Sequence, residues 1–220
     1  MPLPNSTRDE VLGYAKAHIP DAKWHVDFFD FVGNQALRRR LGKEYWAARC
    51  VYKMLEGVRA TGSLRRTQVK LQVLLYASIC EAVLHYVLFT KYKTAPQVRK
   101  LGKNTRRVKV SVSRDLRAKL VAQTRIVDTE LVVTRETPGV ADITKIRFDV
   151  KAETAHALGL VTAGLRDDLI EVFSARNAIH LHAEIRNGLK YELELSKKAY
   201  RRLMPFRQQV MDQLTRDGKL

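Results

Sequence analysis

The residues of this chain best suited to chemistry lie between Leu165 and His182. Leu169, Val172, Phe173, Arg176 and His180 recur there at helical spacing, with Asn177 and His182 beside them. Arg176 and His180 stand at i, i+4, a separation that puts two side chains on one face of a continuous helix. A fixed guanidinium beside an imidazole disfavours the imidazolium and lowers its pKa, which is a poor arrangement for stability alone. At a phosphate the pair is useful, because the guanidinium clamps oxygens while the imidazole moves a proton. The plainer reading is a helix end capped by cations that suit its dipole. A second pair, Glu81 and His85, is also spaced i, i+4. It fits a satisfied polar contact in a core or a contribution to the same pocket.

Other chemistries find no pattern. The chain has no Gly-rich phosphate loop, no Gly-x-Ser-x-Gly elbow and no His-Glu-x-x-His. His180 and His182 are i, i+2 and would share a metal only in an extended segment, with no acidic cluster nearby. Cys50 and Cys80 lack paired-ligand spacing, which excludes a disulfide-rich scaffold and a multi-cysteine zinc site. No metal and no cofactor are expected.

The elements that would position these residues are mostly helices. Thr7 to Ile19 reads as a short amphipathic helix stopped by Pro20. Leu37, Leu41, Tyr45, Ala48, Val51, Tyr52 and Leu55 predict a helix from about Asn34 to Val58, closed by Gly57 and Thr61-Gly62-Ser63. Leu64 to Tyr92 is the most apolar stretch. Its length approaches a bilayer span, but Glu81 and His85 near the centre would be expensive in lipid. A buried central bundle helix is expected instead. Helical spacing returns at Ala152 to Leu158, breaks at Gly159 and restarts at Ala163 to Ala178. Lys190 to Leu195 alternates and reads as extended, with Ser196 as N-cap of a closing helix to about Leu214.

Between these helices the chain changes character. Lys91 to Arg125 holds twelve basic residues against one acid, Asp115, and so supplies eleven of the seventeen net positive charges. Arg99, Lys100, Lys103, Arg106, Arg107, Lys109 and Arg114 form its centre, a candidate surface for phosphate contacts that give affinity with little sequence choice. Then Val127, Leu131, Val132 and Val133, and Ile143, Ile146, Phe148 and Val150, flank Pro138-Gly139, which predicts an inserted β-hairpin. The organisation read from this is an N-terminal helix and linker at 1–33, then a helical bundle at 34–220 with a basic and β insertion at about 93–150.

A net charge of +17 on 220 residues repels itself, so an anionic partner is expected, nucleic acid ahead of a membrane surface. The first residues show no basic segment followed by an apolar one, so no signal peptide is expected and the compartment reads as cytoplasmic.

The segment Arg176-Asn177-Ala178-Ile179-His180-Leu181 resembles a recurring form in the HEPN family, whose members include metal-independent endoribonucleases. Five residues separate Arg176 from His182 and three separate it from His180. The family's spacing fits the first and is wider than the second, and which histidine acts stays open. Ser78 to His85 and the Gly159-Leu160-Val161 break are also similar to this group. The resemblance covers roughly Asn34 to Tyr92 and Phe148 to Leu214. It implies a mainly α, HEPN-like bundle that forms a homodimer, with two Arg/His pairs meeting at the two-fold axis. RNA, ahead of DNA, would be the substrate, its 2′-hydroxyl attacking the neighbouring phosphate. His182 or His180 would be general acid or base, Arg176 would stabilise phosphoryl charge, and Asn177 would position Arg176 or a phosphate oxygen. A defence or toxin role, with an antitoxin or regulator as a further partner and no membrane, follows from the resemblance alone. The alternative is a non-catalytic module that binds nucleic acid or a protein.

Overall fold

The computed structural model describes residue 2 and residues 4–124 and 132–220. It is mainly α, with ten α-helices and one small two-stranded sheet among the described residues. The chain divides into two compact units, Met1–Lys93 with Arg147–Leu220, and Thr94–Ile146.

The first unit is the bundle. It opens with α1 (Asn5–Ala17) and the short α2 (Ala22–Asp27), whose N-cap Asp21 accepts from the Trp24 amide. Next comes α3 (Gln35–Gly57), capped by Asn34 accepting from the Leu37 amide at 3.0 Å. Gly42 allows α2 to sit directly on α3. A Cβ there would stand 2.6–2.8 Å from Val26 atoms, two of them backbone. Phe28, Phe29, Phe31 and Val32 are buried, and α1 and α2 both pack on α3.

The central helix α4 (Gly62–Tyr86) continues through a π-helical turn, Val87–Lys91. Val69, Val73, Tyr76, Ala77, Cys80, Val83 and Leu84 recur at three and four residues and are buried. Gly62–Lys91 is long and apolar enough to cross a membrane. In the folded chain, α4 packs against α3 and against three later helices of this unit. Each buried Val or Leu contributes roughly 1.5–3 kcal/mol, so these contacts outweigh any local preference.

The second unit holds α5 (Pro96–Leu101), β1 (Lys103–Lys109), α6 (Arg114–Thr124) and β2 (Thr134–Val140). β1 and β2 are antiparallel, with Arg107 opposite Glu136 and Lys103 opposite Val140. This differs from the hairpin expected around Pro138-Gly139. Those two residues lie inside β2, opposite Thr105 and Asn104, and the partner strand lies upstream of α6. Pro is tolerated because both strands of a two-stranded sheet are edges. Of the expected first strand, Arg125, Val127 and Leu131 lie outside the described residues. In the expected second, Phe148 begins a helix.

The chain returns to the bundle with α7 (Phe148–Ala157), α8 (Ala163–Asn177), α9 (Leu181–Asn187) and α10 (Leu193–Arg216). Gly159, at φ +74°, makes the turn between α7 and α8 that a side chain would strain. Of these four helices, α7, α8 and α10 are the three later helices that pack on α4. The N-cap of α10 is Glu192, not Ser196, whose hydroxyl instead donates to the Leu193 carbonyl inside the first turn. Ala199, Leu203, Phe206, Val210 and Leu214 form the buried stripe of α10. Asp168 of α8 pairs with Lys198 at 3.2 Å and Arg202 at 2.5 Å, fastening α8 to α10.

Candidate functional site

Arg176 occupies the last turn of α8. Its guanidinium lies over the Phe173 ring, 5.0 Å from the centroid, and Phe173 in turn stacks on Phe148 of α7 at 4.2 Å. One Nη donates to the Oδ1 of exposed Asn177 at 3.1 Å. The other stands 4.0 Å from the Glu81 carboxylate on α4. Stacking fixes the plane of the group, and about a third of the side chain stays exposed, so its remaining donors can meet an incoming anion.

Glu81 is the junction of the cluster. Besides Arg176 it faces the Lys151 ammonium of α7 at 3.5 Å. Lys151 is 1% exposed, a buried cation held by a partly exposed carboxylate. His85 follows Glu81 by one turn on α4, half-buried, its ring 4.9 Å from Phe89. Burial, reinforced by Lys151 and opposed by Glu81, holds its pKa below the ordinary histidine value. A neutral imidazole on the same helix as that carboxylate is fit to accept a proton. Glu81 and His85, paired on spacing alone, therefore both lie near Lys151, and Glu81 also faces Arg176.

Lys151 was missed by the sequence reading. Phe148, Ala152 and Ala155 mark the buried stripe of α7, and Lys151 falls on it, three residues after Phe148 and four before Ala155. A lysine on an apolar helix face must find an anion, and that was the legible signal.

The histidines of the motif are placed differently from expectation. α8 ends at Asn177, so Arg176 and His180 do not share the face of one continuous helix. The Tyr191 hydroxyl donates to the Ala175 carbonyl at 2.7 Å, tying the last turn of α8 to the segment that leads into α10. His180 is the exposed N-cap residue of α9, and exposed His182 lies in its first turn. Among the described residues neither imidazole makes a hydrogen bond or ion pair. What fixes α9 is Glu184, buried between Arg66 and Lys70 of α4, the latter at 2.6 Å. Those two cations hold its carboxyl below the usual carboxylate range. The start of α9, and with it His182, is thereby anchored to the bundle.

The basic residues form a separate surface on the second unit. Arg99, Lys100, Lys103, Arg106, Arg107, Lys109 and Arg114 are all exposed, and every residue of β1 is exposed. Lys103, Arg107 and Lys109 share one face of β1, and Arg106 lies on the other. Arg107 pairs with Glu136 at 3.3 Å across the sheet. Val98 is the one buried side chain among the described residues of the unit. A sheet with two wet faces is shaped by its partners more than by a core.

Burial pushes the Cys80 thiol up to about 12, which rules it out as a nucleophile at neutral pH. Among the described residues no three His, Cys, Asp or Glu side chains are grouped to hold a metal ion. No protein-family model, no curated protein and no solved structure matches the chain.

Proposed function

We propose that this is a HEPN-like, RNA-directed protein, acting as a metal-independent endoribonuclease in a defence or toxin role. The observation that carries the reading is the guanidinium of Arg176, clamped between Phe173, Asn177 and Glu81 at the end of a bundle helix with donors left for an anion. In this proposal Arg176 binds a phosphoryl oxygen and stabilises charge as the 2′-hydroxyl attacks. As the bond from the 2′-oxygen to phosphorus forms and that from phosphorus to the 5′-oxygen breaks, His182 or His180 acts as general base or acid in moving the 2′-hydroxyl proton to the leaving 5′-oxygen. The exposure of both histidines supports a site completed across a homodimer rather than within one protomer. The basic surface of the second unit supplies sequence-independent contacts to the RNA backbone. A cytoplasmic setting and an antitoxin or regulatory partner belong to the same proposal.

A second reading has its own support. The motif histidines have no orienting partner among the described residues, and Arg176 already faces a carboxylate. Both fit a non-catalytic nucleic-acid-binding module in which the Glu81–Lys151–Arg176 cluster only holds three helices together. Cleavage of single-stranded RNA in EDTA separates the two. Products ending in 2′,3′-cyclic phosphate, lost on Arg176→Ala, support the nuclease. Salt-sensitive binding without cleavage supports the module.

A further inference from the structure

Away from the Arg176 cluster, the bundle contains a cavity of about 400 Å³ lined by residues of α3, α4 and α10 and by His18 and Ile19, which follow α1. Its charge is lopsided. Arg49, Lys53, Lys197 and Arg201 line it against a single carboxylate, Glu56, among the described residues. Lys53 is neutralised by Glu56 at 2.6 Å, and Lys197 lies 2.7 Å from Glu194. Arg49 and Arg201 have no carboxylate within 4 Å among the described residues.

Arg49 is held in an unusual way for a half-buried cation. Its Nη1 is 3.4 Å from the Nε2 of buried His25, whose Nδ1 donates to the Asp21 carbonyl at 2.7 Å. That leaves Nε2 as an acceptor on a neutral ring. The guanidinium carbon also lies 5.6–5.8 Å from the ring centroids of Trp24, Tyr45 and Tyr200. Aromatic faces and a neutral imidazole orient the group without cancelling its charge. A half-buried cation kept rigid and uncompensated is arranged for an external anion. Around it, Tyr52, Tyr76 and Tyr200 supply flat apolar walls, and Gln72 and Ser196 supply neutral polar groups.

We propose that this cavity binds a nucleotide, with its phosphate on Arg49 and Arg201 and its base against Tyr52 and Tyr200. The volume lies in the range of small-molecule sites, roughly 300–1,000 Å³. Guanidinium forks match phosphate oxygens, and tyrosine faces stack bases without choosing among them. The nucleotide comes either free from solution or as the 5′-phosphorylated end of an RNA chain. The inference does not rest on the nuclease reading.

The test is calorimetric titration of the full chain with adenosine 5′-monophosphate, with adenosine and inorganic phosphate as controls. The monophosphate is expected to bind at least roughly tenfold more tightly than either control, because both halves of the site contribute. Arg201→Ala, an exposed position outside the core, is expected to weaken it roughly tenfold with the melting temperature unchanged. Lys43→Ala, exposed on α3 and outside the cavity, is expected to leave it unchanged, which separates the site from a general effect of positive charge. Displacement of the monophosphate by a 5′-phosphorylated oligoribonucleotide assigns the ligand to a chain end, and no displacement assigns it to the free nucleotide. The proposal is overturned if the monophosphate gives no heat at millimolar concentration. It is overturned equally if either control binds as well as the monophosphate, or if Arg201→Ala binds as wild type does.

Discussion

Replacing Glu81 by Gln removes the carboxylate that faces both Lys151 and Arg176, and leaves Lys151 charged in the interior. The Lys151 side chain is 2% exposed and that of Glu81 is 28% exposed. Breaking a buried ion pair from one side costs about 3–5 kcal/mol. Partial exposure of Glu81 places this case at the lower end, about 3 kcal/mol. The reciprocal change behaves differently. Lys151→Met keeps the length of the side chain and discards its charge, so no buried ion is orphaned, and the result stays within about 1 kcal/mol of wild type. Glu81→Gln/Lys151→Met then recovers most of the loss, giving a coupling of about 2 kcal/mol between the two positions. Urea unfolding followed by fluorescence reads this in the correct unit, because both tryptophans, Trp24 and Trp46, lie in the bundle. With a slope of about 3 kcal/mol per molar urea, Glu81→Gln lowers the midpoint by about 1 M. If Lys151→Met costs as much as Glu81→Gln, or the double variant shows no recovery, the pair is not a buried ion pair and the reasoning fails.

Three further outcomes follow from the geometry. RNA binding is expected to weaken with salt, and Lys103→Gln/Arg107→Gln/Lys109→Gln, all on one face of β1, to reduce the slope of log K against log salt by about 2, at about 0.7 for each phosphate contact on a single strand. A fluorescence-anisotropy series over salt concentration reads it, and an unchanged slope would move the contact surface elsewhere. Burial, their leading cause, holds His25 and His85 below the ordinary histidine pKa, so the unfolded chain binds more protons than the bundle as the pH falls. Bundle stability is therefore complete above a pH of about 6.5 and is lost as pH falls through the lower folded values. Urea midpoints that rise on acidification from neutral would contradict this. Gly42→Ala places a Cβ against Val26 backbone and is expected to destabilise the bundle by about 2–3 kcal/mol, read from the same urea curves. A neutral result there would mean that α2 does not sit on α3 as described.

Much of the bundle was legible because its helices carry strong local signals. Asn34 is a cap and Gly57 closes α3, while the stripe along α4 repeats at helical spacing. Those residues do locally what the fold needs. A small antiparallel β element inserted in the helical chain was legible, but its strands were misplaced for a physical reason. β1 is exposed on both faces, so its residues show no apolar alternation, and its charges read as a solvated run. Pro138-Gly139 then looked like a turn, when a two-stranded sheet tolerates both inside an edge strand. Ser196 has the chemistry of an N-cap, but Glu192 lies where the backbone turns helical. The site was half legible. The i, i+4 spacing of Glu81 and His85 holds because α4 is continuous there. The same spacing from Arg176 to His180 fails because α8 ends at Asn177, and no Gly or Pro between the two residues marks that end in the sequence.

The most direct test of the account is the fate of labelled single-stranded RNA incubated in EDTA with wild type, Arg176→Ala and His180→Ala/His182→Ala. The account predicts cleavage by wild type alone, leaving 2′,3′-cyclic phosphate ends. Wild-type protein that binds the RNA and leaves it intact, or cleavage that survives both substitutions, would contradict it.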